Sequence, residues 1–127
     1  MARGRDKHQA HRAAVAALGR SLSRRARSAC EVCGDSGRLD VVEVQGNPEP
    51  EPEEAWAILA CSRCQEAMEG RWEAGELHFL QTAVWSDVRP AQLVAVRLAR
   101  KVAESGVTWA RDLLEGLYLD EETEALL

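Results

Sequence analysis

The sequence predicts an α+β fold: a small β-hairpin finger built on four cysteines, packed with an N-terminal helix and two or three C-terminal helices. Three observations carry this. Two C-x-x-C pairs, Cys30/Cys33 and Cys61/Cys64, bracket two short apolar runs of strand type. Apolar residues recur at helical spacing before the first pair and again after Pro90. The chain has only 127 residues, a length at which the core is modest and an internal staple adds needed stability. The parts are a basic amphipathic arm (residues 1–29), a four-cysteine finger (30–70) with a Pro/Glu-rich loop (46–54), and a helical part (71–127), forming one domain together.

Residues 8–28 read as one helix. Ala14, Val15, Leu18, Leu22 and Ala26 form a narrow apolar face, and no proline interrupts the run. That face is expected to dock on the rest of the protein. The finger contributes a strand in "LDVVEV" and a second in "AWAIL", joined by "QGNPEPEPEE", an extended, solvated connection. "GRWEAGEL" is rich in turn residues, and "LHFLQTAVW" fits a short strand or a helical turn equally well. Pro90 suits the first turn of a helix whose apolar set is Leu93, Val94, Leu98 and Val102, with Gly106 as terminator. Thr108 is placed to cap a further helix carrying the stripe Trp109, Leu113, Leu114, Leu117 and Tyr118. Asp120 is placed to cap a last turn, where Glu121 and Glu122 suit the helix dipole. Trp72, Trp85 and Trp109 are candidate core residues, with Trp56 a weaker one.

Each cysteine pair has two intervening residues, so one tight turn can aim both sulfurs at a single ion. Gly34 suits a knuckle that needs a left-handed backbone. Four thiolates complete the tetrahedral shell that zinc prefers, so the expectation is one structural Zn2+ held by Cys30, Cys33, Cys61 and Cys64. Rubredoxin-like iron or a redox dithiol are the alternatives. Such a site has no open position for a catalytic water.

Charge is divided sharply. Residues 1–29 hold eight Lys+Arg and one acid, whereas residues 30–127 hold eight basic residues and 20 acids. A basic arm of this kind suits a nucleic-acid or acidic protein partner, with Arg20, Arg24, Arg25 and Arg27 as the candidate contacts. It equally suits packing on the acidic body, with an organelle-targeting segment as the lesser alternative. No run is apolar enough for a membrane span or a secretory h-region, so a cytoplasmic location with reduced thiols is expected. A third role, a structural subunit with an apolar helix face that needs a partner, would show in the oligomeric state.

The order knuckle, hairpin, knuckle, helix is that of a treble-clef or ribbon-like finger. "CEVCGDSGRLDVVEV" and "CSRCQEAMEG" resemble the finger of HNH endonucleases. That family carries a histidine pair on the strand and commonly a histidine after the last cysteine. Here Val42, Glu43 and Gln65 stand at those positions. His8 and His11 lie on the arm, and His78 reads as a partly buried structural residue, so no catalytic residue is assigned. A closer resemblance is to the PhnA-type proteins, named for an alkylphosphonate-utilisation operon. It rests on "SACEVCG", "LDVVEV", "ILACSRCQEAME", "AVWSDVRPAQLVAVRLARKV" and "WARDLLEGLYLDEET", together covering about residues 25–124. The resemblance implies zinc at the same four cysteines and offers no catalytic residue. Members of that family often continue into a further C-terminal domain, and the Arg-rich helix here has no counterpart in the match. The expected function is a non-enzymatic PhnA-like zinc-binding protein acting as an interaction module. The alternative is a catalytically degenerate HNH-like nuclease or an enzyme associated with phosphonate metabolism.

Overall fold

In chain order the elements are α1 (Ala2–Ala17), α2 (Gly19–Ala26), β1 (Leu39–Glu43), β2 (Ala57–Cys61), α3 (Ser62–Met68), α4 (Leu80–Ala83), α5 (Arg89–Glu104), α6 (Thr108–Glu115) and α7 (Glu121–Leu126). Short 3-10 turns lie at Glu54–Trp56 and Ala74–Glu76. The structure is a computed structural model that describes residues 2–127, with side chains from Asp6 onward. The Arg3 and Arg5 side chains of the basic arm therefore lie outside the described residues. The chain is mixed helix with a small two-stranded antiparallel sheet.

Strand β2 organises the molecule, because all five of its residues are buried. Ile58 and Ala60 enter the main core, while Ala57 and Leu59 join a smaller cluster with Leu22 of α2. Burial on both faces explains why "AILAC" lacks the alternation of a half-exposed strand. Sequence reasoning began this strand two residues early, at Ala55. Trp56 instead sits in the 3-10 turn, partly buried, and only the uniformly apolar stretch that follows can be enclosed on both sides. β1 pairs with β2 antiparallel, with Val41 opposite Leu59 and Val42 opposite Ile58.

The arm is two helices rather than one. At Leu18 the backbone tightens, its N–H reaching Val15 O at 3.1 Å, and Gly19 follows, the weakest helix former in the run. After this break α2 lies over the sheet and buries Leu22 completely. It ends with two consecutive left-handed residues, Arg27 (φ 55°) and Ser28 (φ 58°), which turn the chain into the first knuckle. Neither is glycine, so the turn is strained. Replacing the exposed Ser28 by glycine is expected to stabilise the metal-loaded protein by about 0.5–1 kcal/mol, relief of the left-handed strain exceeding the added chain entropy. Chemical denaturation would check this, and a lower midpoint for S28G would contradict it.

The C-terminal helices supply the other side of the core. α5 carries Pro90 in its first turn and buries Leu93, Val94, Leu98 and Val102 as expected, together with Ala95, Val96 and Ala99. Asp120 caps α7, its carboxylate accepting the Thr123 N–H at 2.7 Å. Thr108 does not cap α6: it is the first helical residue, preceded by Val107, and no side chain takes the cap. "LHFLQTAVW" resolves into the short helix α4 and flanking turns. Among the aromatics, Trp72 and Trp109 pack against the core, but Trp85 is 51% exposed and Tyr118 87% exposed. Ala83 and Val84 take the inward positions beside Trp85. α6 stops at Glu115, so beyond it Leu117 and Leu119 turn inward and Tyr118 between them turns out. His78 is exposed and stacks on the Trp109 ring at 4.7 Å instead of entering the core. No helix of the described residues is long and apolar enough to cross a membrane.

Candidate metal centre

The two knuckles meet at one end of the sheet. Cys30 and Cys33 lie in the turn that follows α2, Cys61 is the last residue of β2, and Cys64 is in the first turn of α3. In the first knuckle Cys30 O accepts the Gly34 N–H at 2.9 Å, and Cys30 N–H donates to Asp35 O at 2.7 Å. Gly34 has φ +87°, so the positive backbone angle expected at this glycine is the one observed.

The four sulfurs lie within 4.8 Å of one another. Cys30 and Cys64 are 3.7 Å apart and Cys33 and Cys61 3.5 Å. A disulfide needs about 2.05 Å. An ion with metal–sulfur bonds of about 2.3 Å at the centre of a tetrahedron puts its sulfurs about 3.8 Å apart. The two closest pairs are near that spacing, the four sulfurs together could hold a metal ion, and all four cysteines are free of disulfides. Cys30, Cys61 and Cys64 are buried, and Cys33 alone is partly exposed.

The surroundings complete the centre. The Cys33 N–H points to Cys30 Sγ at 3.5 Å. Arg63, inside the second knuckle, lies against Cys33 and pairs with Asp35 at 3.2 Å, with its guanidinium 5.4 Å from the centre of the Phe79 ring. Its Nε is buried without an acceptor. A divalent ion with four thiolates carries a net charge of about −2, and Arg63 is the cation placed to offset part of it.

Without a metal the thiols differ in acidity. The hydrogen bond shared with Cys64, helped by backbone N–H groups, pulls Cys30 well below the ordinary thiol range. The same bond, with burial, pushes Cys64 up. Burial also raises Cys33, although Arg63 opposes this. Cys33 and Cys64 are therefore protonated at neutral pH and must each lose a proton to bind a metal. Metal affinity is expected to fall by at least about 100-fold per pH unit as pH drops, with at least two protons released per ion at pH 7. A proton-release titration with an indicator dye measures this, and release of one proton or none would contradict it.

Arg25 behaves unlike its neighbours. Its Nε and Nη2 donate to the two oxygens of Glu31 at 2.8 Å each, and it also donates to Glu54 O at 2.9 Å and Ala57 O at 2.8 Å. Glu31, between the two cysteines of the first knuckle, has a side chain only 2% exposed. Its carboxylate accepts the Leu59 N–H at 2.9 Å, and its own N–H donates to Leu59 O at 2.8 Å. Arg25 and Glu31 thus occupy the edge of β2 turned away from β1 and tie arm, knuckle and strand together. Arg20, Arg24 and Arg27 are exposed and make no ion pair among the described residues.

Sequence reasoning missed Glu31 and Arg63 and took Arg25 for a surface contact. One signal was present: Arg25 is seven residues after Leu18 and three after Leu22, so it shares their inward face. Also unexpected is His11, whose Nε2 meets Glu43 Oε2 at 2.8 Å across a groove of about 870 Å³ between α1 and β1. Gln65 spans from Ala60 O to Asp40, at 3.0 and 3.1 Å. No family model, curated protein or solved structure matches the chain.

Proposed function

We propose that the protein is a non-enzymatic, zinc-stabilised interaction module: a treble-clef-type finger of PhnA-like kind, whose single zinc is structural and whose Arg-rich helix α2 faces a partner. The observation that carries this is the set of four sulfurs within 4.8 Å of one another, enough to fill a tetrahedral shell and leave a bound ion no vacancy for a reacting water. Zinc rather than iron suits a redox-inert fastening. The test is twofold. Metal analysis of the purified chain should give one zinc per chain, and the zinc-loaded protein should cleave neither nucleic acids nor phosphoesters. Sub-stoichiometric zinc, or turnover that is lost on metal removal, would overturn the reading.

The second reading, an enzyme derived from an HNH-like or phosphonate-associated ancestor, is favoured by one contact. His11 and Glu43 form a histidine–carboxylate pair inside the groove between α1 and β1, the kind of pair that orients a general base. Turnover abolished by His11→Ala, with zinc content unchanged, is the result that would establish it.

A further inference from the structure

Resting on the interaction-module reading, we infer that Arg20, Arg24 and Arg27 form a phosphate-binding stripe that docks on the backbone of duplex nucleic acid. Arg20 and Arg24, four residues apart, lie along one face of α2, and Arg27 follows as its left-handed C-cap residue. All three are exposed and unpaired among the described residues, although the chain carries 21 acids. The fourth basic residue of the set, Arg25, is committed to Glu31, Glu54 and Ala57, and with Leu22 it fixes which way the helix faces. The stripe is thus held outward by a clamp that joins it directly to the metal knuckle.

The chemistry of this face selects the partner. Protein interfaces are anchored by apolar or aromatic side chains at their centre. Leu18 and Leu22 of the arm belong to the cluster against β2, and the stripe presents no apolar anchor of its own. For the same reason it has nothing to insert into a lipid surface. Single-strand binding relies on aromatic stacking, and the exposed aromatics Trp85 and Tyr118 belong to the C-terminal part. Duplex backbone binding requires only placed cations. From Arg20 on α2 to Arg27 at its C-terminal cap the stripe extends over roughly 10 Å. Duplex DNA offers a phosphate about every 3.4 Å of axis on each strand, so three contacts fit that length.

The experiment is anisotropy titration of a fluorescent 20-base-pair DNA duplex with the zinc-loaded full chain across salt concentrations. Three phosphate contacts predict a log–log salt slope of about −2.7, which is about 40-fold weaker binding at 200 mM than at 50 mM salt. The triple variant R20A/R24A/R27A should lose this binding, while Arg100→Ala, on α5, should keep it. Unchanged zinc content and thermal unfolding in the triple variant would show that the clasp survives, so that loss of binding reports the stripe alone. Duplex binding unaffected by the triple variant overturns the proposal, as does no duplex binding at 50 mM salt. Tighter binding to polyglutamate or to vesicles containing phosphatidylserine also overturns it, by assigning the stripe to a different partner. None of these outcomes touches the zinc stoichiometry or the absence of turnover, on which the module reading stands.

Discussion

Substituting Cys64 with serine is expected to abolish stoichiometric metal binding and the cooperative unfolding transition of the finger. Cys64 is fully buried and shares its hydrogen bond with Cys30. A tetrathiolate zinc site supplies roughly 10 kcal/mol or more of apparent binding free energy at neutral pH, comparable to the whole stability of a small domain. The effect should spread beyond the knuckles. Cys61 terminates β2, and β2 is the strand on which both core clusters rest. Near-ultraviolet circular dichroism is the discriminating measurement, because Trp56, Trp72 and Trp109 pack against the main core. Loss of the aromatic signal in both C64S and the chelated wild type would show that metal and core fold as one unit. A chelated protein with an unchanged aromatic signal and a sharp thermal transition would show instead that the helical part stands alone.

The second large effect is expected at Glu31. Its side chain is almost wholly enclosed and holds two guanidinium nitrogens and one backbone N–H. Removing Arg25 leaves that carboxylate without its counter-charge, a change that typically costs about 3–5 kcal/mol. Arg25→Ala should therefore destabilise by that amount, and Glu31→Ala by a similar one, because it also strips the acceptor from Leu59 N. The double variant R25A/E31A should be less destabilised than the sum of the two, by about 1–3 kcal/mol of coupling. Urea denaturation of all four proteins at constant zinc closes the cycle. Additive losses would mean that the two residues act separately and that no clamp exists.

The outline of the fold was legible where local chemistry decides it. Pro90, Gly106 and Asp120 set helix ends by properties of their own backbone or side chain, and the structure follows them. The cysteine cluster was legible for the same reason, since two residues between sulfurs set the turn that aims them. What escaped was decided by distant partners. Thr108 looks like a cap, but Val107 precedes the helix instead. Trp85 has the bulk of a core residue, yet Ala83 and Val84 fill the inward space. Glu31 carries no local mark of burial, because its partners arrive from α2 and β2, six and 28 residues away. His11 meets Glu43 only because α1 folds back across the sheet, a contact 32 residues apart that periodicity cannot reveal.

The enclosure of β2 has a consequence for solubility. "AILAC" is uncharged, proline-free and apolar, the composition of a segment prone to cross-β assembly. In the folded protein one edge pairs with β1, the other is occupied by Arg25 and Glu31, and both faces are covered. Two of those covers, the Arg25–Glu31 edge and the face under Leu22, depend on the first knuckle or the helix fastened to it. Opening the centre by chelation or oxidation therefore frees an unpaired strand edge, which other copies of the chain can extend. The clamp that points the arginines outward also acts as a gatekeeper against aggregation.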